Sequence, residues 1–571
     1  MAYVITQACC NDASCVATCP VNCIHPTPDE AQFRTTEMLY IEPDTCIDCG
    51  ACVDACPVAA IFPEDQLSEA DARYAEINAN YYEKYPLQEG WKPLQPTEAK
   101  RVDLGTLRVA IVGAGPAASY AAEQLLVHSD VEVEVFEKLP TPWGLIRAGV
   151  APDHPGTKVI TDAFEWTAAK DGFQFHLNVE VGKHLSHDEL MANHHAVIYA
   201  VGASSDRRLD IPGEDLPGSH AATEFVAWYN GHPDYADRDF DLSGERAVIV
   251  GNGNVAIDVA RVLTMDVAEL AETDIADHAL EALRHSNIRE VVLLGRRGPA
   301  QAAYSTPEFL ALGELENVDV VIDPVELELD ELSARLLEGG EYEPSTEFKV
   351  QLAREFAERT STPGHKRIVF RYLASPTGLL GTERVEAVTV ARNELVAGAD
   401  GAPSARPTAD SETMDASLVL RSIGYRGRPL AGVPFDERRG TIPNDNGRVL
   451  ESAGGAPVDG VYVTGWIKRG PSGVIGTNKA CAKETVRGLL EDFQSGSLSR
   501  PVGSRKDLTK LVAQRQPARI DYRGWQAIDA AERARGAASG RPRVKITDVD
   551  EMLGVAKALR ARAWLPSPKT R

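Results

Sequence analysis

Past residue 56 this chain has a single cysteine, Cys481, and its first 65 residues hold a single basic side chain, Arg34. One cysteine cannot form the dithiol that a flavin disulfide reductase sets beside its flavin, so that chemistry is excluded. No apolar run reaches membrane-spanning length, so no membrane insertion is expected. The start, MAYVITQACC, lacks a charged n-region and a long apolar h-region, so no signal peptide is read. Positive charge is scarce overall: the formal net charge is −25, which argues against a nucleic-acid binder held by phosphate contacts. Clustered cysteines without a secretion signal point to metal ligation in a reducing compartment, and a cytoplasmic protein is expected. An apolar content of 43% and 25% charged residues are ordinary for a globular chain, and 571 residues leave room for roughly three or four domains.

Nine of the ten cysteines lie between Cys9 and Cys56. Cys46, Cys49 and Cys52 are spaced C-x2-C-x2-C, and Cys56-Pro57 follows three residues on. Upstream stand Cys9, Cys10, Cys15, Cys19-Pro20 and Cys23. Thiolates are soft donors that suit tetrahedral iron, and in two-cluster ferredoxins the fourth cysteine of each run ligates the other cluster. This assigns Cys46, Cys49, Cys52 and Cys19 to one [4Fe-4S] cluster. A second cluster, [3Fe-4S] or [4Fe-4S], takes Cys15, Cys56 and one of the Cys9/Cys10 pair, with Cys9 as the candidate. Cys23 reads as a buried free thiol. Two C-x2-C units would also serve zinc, but three cysteines at two-residue gaps, with Cys-Pro closing both runs, favour iron–sulfur. Residues 1 to about 85 resemble the seven- and eight-iron bacterial ferredoxins.

Residues 66–84 read as a helix, and a connector follows from Pro86 through Pro96 to Gly105. RVAIVGAGPAASYAAEQLL (108–126) then reads strand, glycine turn, helix, with VEVEVFEK (131–138) as the next strand. The pattern recurs in RAVIVGNGNVAIDVARVL (246–263), followed by EVVLLGRR (290–297). The predicted fold is multidomain α/β with a small α+β ferredoxin-like iron–sulfur domain. Two Rossmann-like dinucleotide-binding domains are expected, the second inserted in the first. The expected boundaries are 1–65 for the iron–sulfur domain, 66–105 for helix and linker, and 106–210 for the first part of an FAD domain. The NADP domain then spans 211–455, the FAD domain returns over 456–498, and 499–571 form a basic C-terminal extension.

In the first turn Gly113 makes the tight bend, Gly115 admits a pyrophosphate and Ala118 replaces the usual last glycine. Glu137, 24 residues after Gly113, ends the next strand where it can bind ribose hydroxyls. The motif alone does not separate FAD from NAD. The second turn is Gly251-Asn252-Gly253-Asn254-Val255-Ala256, with Asp258 and Arg261 following. Its partner strand ends in Arg296-Arg297 where an NAD site would carry an acid, and paired guanidinium forks fit the 2′-phosphate of NADP. The first site is thereby left for a flavin, which can take a hydride and release electrons singly to an iron–sulfur cluster.

The segments LPTPWGLIRAGVAPDHPG (139–156) and TGWIKRGPSGVIGTNKACA (464–482), with GNGNVAIDVAR and GRRGP between them, make residues 108 to about 490 resemble the adrenodoxin-reductase type of ferredoxin–NADP reductase. With its ferredoxin head the whole chain is similar to the ferredoxin/ferredoxin–NADP reductases of mycobacteria and related actinobacteria. The resemblance implies Gly113, Gly115, Pro116, Ala117 and Glu137 at the ADP half of FAD. It implies Leu145 and Val181 lining FAD, and Trp466, Gly473, Val474 and Ile475 beside the isoalloxazine ring. Asn252, Gly253, Asn254 and Val255 would hold the NADP pyrophosphate, Arg296 and Arg297 the 2′-phosphate, and Glu308 with Gly473 the nicotinamide half. His154 and Glu308 are the candidate catalytic residues; His154 would position a ring or relay a proton, the alternative being a structural hydrogen bond.

The implied activity is that of a ferredoxin–NADP(+) reductase: a hydride passes from NADPH to FAD, then single electrons pass to the fused clusters and to an external ferredoxin or cytochrome P450 system. The alternative is an NADPH-oxidising iron–sulfur flavoprotein subunit feeding a larger enzyme, as in glutamate synthase. The uneven charge reads either as a solvated face and soluble tail, or as guidance of an acidic head toward a basic surface.

Overall fold

The computed structural model of the chain describes residues 2–87, 106–398 and 401–563. Most of the expected linker falls outside them. The head is built from two short antiparallel pairs, Tyr3–Ile5 with Ile61–Pro63 and Ile24–His25 with Tyr40–Ile41, and two five-residue helices, Ser14–Thr18 and Ala51–Ala55. So little regular structure needs a clasp. The helix Arg73–Lys84 supplies it through Asn78, whose Oδ1 accepts from the amides of Ile5 and Ile41 while its Nδ2 donates to the Ile5 carbonyl. This helix starts later than the expected residue 66, because Glu64–Gln66 form a 3-10 turn and Ser68 bonds Asp71 in the next bend.

The first large sheet runs in the order Asn444–Asp445, Arg448–Leu450, Pro457–Val463, Ala196–Tyr199, Leu107–Val112, Val131–Glu137 and Phe173–Leu177. Its last five strands are parallel. The second sheet is wholly parallel: Ser219–Ala221, Leu418–Arg421, Arg246–Val250, Glu290–Leu294, Lys366–Arg371 and Val318–Ile322. Both are Val/Ile/Ala-rich, as strands covered on two faces must be. A three-stranded antiparallel meander, Ala374–Leu380, Ala387–Ala397 and Pro403–Asp415, rises from the second sheet.

The chain crosses from the first sheet to the second and back where Ser205–Asp206 pairs with Tyr425–Arg426. The strands at Asn444–Asp445 and Arg448–Leu450 already belong to the first sheet, so the return lies upstream of the expected residue 456. Short polar strands on a sheet edge carry no apolar periodicity that would announce them in sequence.

The C-terminal segment, opaque in sequence, is a packed helical layer: Arg505–Arg515, Tyr522–Ala538 and Val549–Ala563. Several of its basic residues pair within the chain, Arg505 with Glu132, Arg515 with Glu189 and Arg541 with Asp277. Among the described residues no helix is long and apolar enough to cross a membrane.

Candidate functional site

Both glycine turns open the same way. Gly113 adopts a φ of +98°, and a Cβ there would lie 2.5 Å from the Ala200 carbonyl oxygen, so the strand can turn only at glycine. Gly115 caps the helix Pro116–Leu125 in an extended conformation, and a Cβ on it would meet nothing nearer than the Gly144 Cα at 3.9 Å. That open space beside a helix N-terminus is what a pyrophosphate requires. The second turn matches it: Gly251 has φ +118° and a Cβ would lie 2.2 Å from the Ser422 oxygen, whereas Gly253 has only the Ala303 Cβ at 4.0 Å. Gly253 caps the helix Asn254–Thr264.

Around the first turn, Glu137 accepts hydrogen bonds from the Ala114 and Leu139 amides at 2.9 and 3.0 Å, which tethers the end of its strand to the turn. Burial raises its pKa. The buried Trp143 at φ +80° brings Gly144 so close that a Cβ there would lie 3.0 Å from the Gly115 Cα. Leu145 follows, 42% exposed, while Val181 is half-buried against the far side of the first sheet. Gly465 closes on the turn from the other side: a Cβ would lie 2.6 Å from the Ala117 Cβ. Trp466 donates its ring N–H to the Ser472 carbonyl, and the exposed Gly473 with the half-buried Val474 and Ile475 leads into the helix Thr477–Gln494. Cys481 accepts from the Gly465 amide here, with no second thiol to complete a redox pair.

At the second turn Asn254 holds Ser305 by two hydrogen bonds, Nδ2 to Oγ at 3.1 Å and the Ser305 amide to Oδ1 at 2.7 Å. A Cβ on Gly295 would lie 2.6 Å from the Asn252 amide nitrogen, so Asn252 sits directly on the end of the partner strand. Val255 of this turn is half-buried; on the partner strand's end Arg296 is exposed and Arg297 half-buried. Their backbones are pinned by Asn393 and Leu373, yet neither guanidinium forms an ion pair among the described residues. Burial and the neighbouring Arg296 charge lower the Arg297 pKa. Two adjacent unneutralised guanidinium groups are a donor set suited to a phosphate.

Where the two nucleotide domains meet, a buried ion cluster joins them. His154 and Asp153 come from the first domain; Asp258, Arg261 and Glu308 come from the second. Arg261, 2% exposed, donates from Nε to Asp153 at 2.8 Å, from Nη1 to Glu308 at 2.5 Å and from Nη2 to Asp258 at 2.7 Å. His154 lies 3.2 Å from Asp153 and 3.1 Å from Glu308. Burial works against a charged His154, but its bonds to Asp153 and Glu308 outweigh it and raise the pKa to about 10. For Glu308 the desolvation is overcome by Arg261 and His154, which hold it down at about 2. Asp258 has no such surplus of cations; burial and the Glu308 charge, opposed by Arg261, push it up to about 7. The expected pair His154 and Glu308 is thus brought together, with Asp153, Asp258 and Arg261 as unforeseen members. A buried arginine three residues after an aspartate on one helix was the available signal.

In the head the cysteines lie close enough to influence one another. Charge on Cys56 bears on Cys9, Cys10 and Cys15, and charge on Cys9 bears on Cys10 and Cys15. Charges on Cys46, Cys19 and Cys49 bear on Cys52, and that on Cys52 bears on Cys15. Amide N–H groups already point at sulfur, Cys23 N to Cys19 Sγ at 3.4 Å and Ala60 N to Cys56 Sγ at 3.3 Å, as a cluster-bound thiolate favours. Left-handed residues, Asn11, Ala13, Asn22, Asp48, Gly50 and Ala59, wrap the loops around these sulfurs. Cys23 is buried, with its Sγ 3.5 Å from that of Cys19. Cys10 turns away into the core that holds Tyr120 and Ala118.

The head is seated on the nucleotide domains at the flavin-side turn. The Gly476 amide donates to the Cys10 carbonyl at 2.7 Å, and Lys479 reaches Asp12 at 2.6 Å and the Ser14 hydroxyl at 2.8 Å. Toward the second domain, Lys349 pairs with Glu37 at 2.8 Å, Glu37 also accepts from the Thr306 amide, and Arg73 pairs with Glu355 at 2.7 Å. A cleft of about 200 Å³ lined by Gln32, Glu37, Tyr40, Ser345 and Lys349 remains at this junction. Ile475 and the Cys9 loop therefore lie side by side.

Residues 107–293 match the family described as pyridine nucleotide-disulphide oxidoreductase, and residues 39–62 match the 4Fe-4S binding domain. A probable ferredoxin/ferredoxin–NADP reductase of Mycobacterium tuberculosis is 52% identical over 97% of this chain and 95% of its own length. The Mycobacterium leprae counterpart is 49% identical over 99% of this chain and 100% of its own. Among solved structures, Mycobacterium tuberculosis FprA in complex with NADPH is 47% identical, with a TM-score of 0.75 over 79% of this chain and all of that one.

Proposed function

The chain belongs to the ferredoxin/ferredoxin–NADP reductase family, and from that premise we propose that it takes electrons from NADPH at its second sheet and delivers them, by way of FAD and its own iron–sulfur head, to a separate electron-transfer protein. Held at the first turn, FAD would supply the conversion between a two-electron hydride and single electrons that a one-electron carrier needs. The observation that carries the reading is the seating of the thiolate-rich head on Gly476, at the end of the Trp466–Ile475 segment that closes the first glycine turn.

The residue roles follow from what each can do. Gly115 and Gly253 open the two helix N-termini to pyrophosphates, with Pro116, Ala117, Asn252, Asn254 and Val255 completing the turns. Glu137 serves the ribose of FAD. Leu145, Val181, Trp466, Gly473, Val474 and Ile475 hold the flavin. Arg296 and Arg297 bind the 2′-phosphate. Glu308 receives the nicotinamide half, its carboxylate aimed by Arg261 and His154 and kept ionised by them. Hydride transfer asks only for aligned reactants, so these residues position rather than exchange protons. Cys19, Cys46, Cys49 and Cys52 hold the [4Fe-4S] cluster, and Cys9, Cys15 and Cys56 hold the second cluster, the three-thiolate set favouring [3Fe-4S]. The acceptor is a ferredoxin or a cytochrome P450 system, and cysteines gathered as metal ligands favour a reducing compartment such as the cytoplasm.

Anaerobic NADPH addition, followed by flavin absorbance and low-temperature electron paramagnetic resonance, tests the whole path. Bleached flavin with altered iron–sulfur signals is expected; bleached flavin over silent clusters would break it. The double variant Arg296→Ala/Arg297→Ala tests the nucleotide choice. Losing two charge-assisted contacts of about 1.5 kcal/mol each weakens NADPH binding about a hundredfold. NADH binding, which never used them, stays unchanged, as a titration of both nucleotides against the oxidised protein would read.

A further inference from the structure

The loop 304–306 of the second domain is held from two sides. On one side stands the second glycine turn: Asn254 Nδ2 donates to the Ser305 hydroxyl at 3.1 Å, and the Ser305 amide donates to Asn254 Oδ1 at 2.7 Å. On the other side stands the head: the Thr306 amide donates to Glu37 Oε2 at 2.7 Å. Lys349 Nζ closes this side by donating to Glu37 Oε1 at 2.8 Å and to the Tyr304 carbonyl at 3.1 Å. Ser305 precedes the helix Thr306–Ala311 yet makes no side-chain bond to its first turn; the acceptor there is Glu37, 269 positions away. Lys349 is 7% exposed, so Glu37 is the anion of a cation nearly removed from water. Other bonds from the head to the second domain, Arg73 to Glu355 and Lys84 to the Tyr342 carbonyl, land away from this loop.

We propose that Glu37 of the head is a positioning residue for NADPH: it holds the loop 304–306 against Asn254, so that seating of the head and binding of the nucleotide strengthen each other. The inference rests on the function proposed above and makes the head a part of the NADPH site as well as the receiver of its electrons. Asn254 opens the helix Asn254–Thr264 directly after Gly253, whose open space admits the pyrophosphate. Ser305 fixes the Asn254 side chain through both its donor and its acceptor. Without Glu37 the loop drifts, these bonds loosen, and the nucleotide must order the turn itself, which lowers affinity. Glu308, two residues beyond Thr306, keeps Arg261 and His154 whatever Glu37 does. The alignment of the reactants therefore persists, and the effect falls on affinity rather than on the limiting rate. By linkage, the nucleotide tightens the head by the factor with which the head tightens the nucleotide.

Calorimetric titration of NADP+ into the oxidised holoprotein tests the proposal, with stopped-flow flavin reduction by NADPH beside it. Glu37→Ala should weaken NADP+ about tenfold and raise the NADPH concentration at half-maximal rate by a similar factor, with the limiting rate of the parent. Glu37→Gln keeps an oxygen for the Thr306 amide and should weaken NADP+ only about threefold. Arg73→Ala, which loosens the head elsewhere, should bind NADP+ as the parent does. In the parent, saturating NADP+ should slow deuterium exchange of the amides of residues 31–41, and Glu37→Ala should abolish that slowing. Parent affinity in Glu37→Ala, with its cluster absorbance intact, would overturn the proposal. So would an equal loss in Arg73→Ala, which would mean a general loosening of the head. Exchange in the parent that ignores NADP+ would overturn it too, and that measurement decides even if Glu37→Ala fails to assemble. A parent protein that binds no NADP+ would strike the functional reading, and this inference with it.

Discussion

Arg261 is among the largest side chains the fold buries outright, and its environment shows what such a burial requires. A guanidinium taken from water is tolerable only if every donor finds an anion, and three carboxylates, Asp153, Asp258 and Glu308, meet it. The group titrates in an ordered way. Asp258, raised from 3.8 to about 7, binds its proton more tightly folded than unfolded, so its contribution is complete below its unfolded value and is lost as pH rises through about 7. His154, raised from 6.5 to about 10, contributes fully below 6.5 and is lost as pH rises through about 10. Glu308 acts oppositely and fails only in acid, as pH falls through about 2. Thermal stability should therefore decline from about pH 4 to 7 through Asp258 and from about pH 6.5 to 10 through His154. Asp258→Asn should remove the step near pH 7 from both the melting curve and the rate of flavin reduction by NADPH, leaving the step near pH 10. A profile unchanged by that substitution would take Asp258 out of the account. The sequence displayed His154 and Glu308 but not their partners, since Asp153 and Arg261 stand 108 positions apart and only the approach of the two domains joins them.

At the scale of elements, the helix Tyr522–Ala538 holds the segment that carries Trp143, Leu145 and His154. Its Glu532 has no exposed surface; it takes both terminal nitrogens of Arg147, at 2.9 and 2.5 Å, the amide of Ile546 and a contact from Arg543. Trp525 packs edge-on against Trp143. Lys545 reaches Asp274 of the second domain at 3.1 Å, where Lys158 of the first domain also pairs. Burial pushes the Lys545 pKa down to about 7, against the pull of Asp274. The basic tail that looked like a soluble appendage is thus a strap across both domains. Glu532→Ala strands Arg147 and Arg543 without their buried anion and should cost about 3–5 kcal/mol. Chemical denaturation should report this as an earlier midpoint, with release of flavin in the same transition because the strapped segment borders its turn. The strap was illegible for a physical reason: its stabilising contacts are single buried ion pairs to distant segments, which leave no periodic trace in the helices themselves.

At the scale of the whole molecule, the contact at Gly476 is a close backbone seat of the head on the nucleotide domains. A Cβ there would lie 2.3 Å from the Cys10 oxygen, the Asn11 carbonyl carbon and the Asp12 nitrogen, all backbone atoms that cannot rotate aside. Gly476→Ala should therefore lift the head without touching either nucleotide turn. NADPH should bleach the flavin at the parent rate, while cluster reduction in stopped-flow traces slows by about tenfold or more and small-angle scattering shows a larger radius. Equal cluster reduction in parent and variant would mean that electrons do not pass by this seat.

Read residue by residue, the sequence by itself determined the local chemistry: cysteine spacing, two glycine turns with their following strands, and an arginine pair where NADP needs one. These are legible because they are short-range, each motif fixing its own backbone and ligand set within some fifty residues. Tertiary structure alone decided which partners those motifs would have. It brought Asp153 and His154 against Arg261 and Glu308, moved the return to the first sheet ahead of residue 456, turned the C-terminal segment into a strap, and set Cys10 on Gly476. Such contacts depend on the packing of whole domains, and a single pair of complementary residues hundreds of positions apart has no signature until the chain has closed on itself.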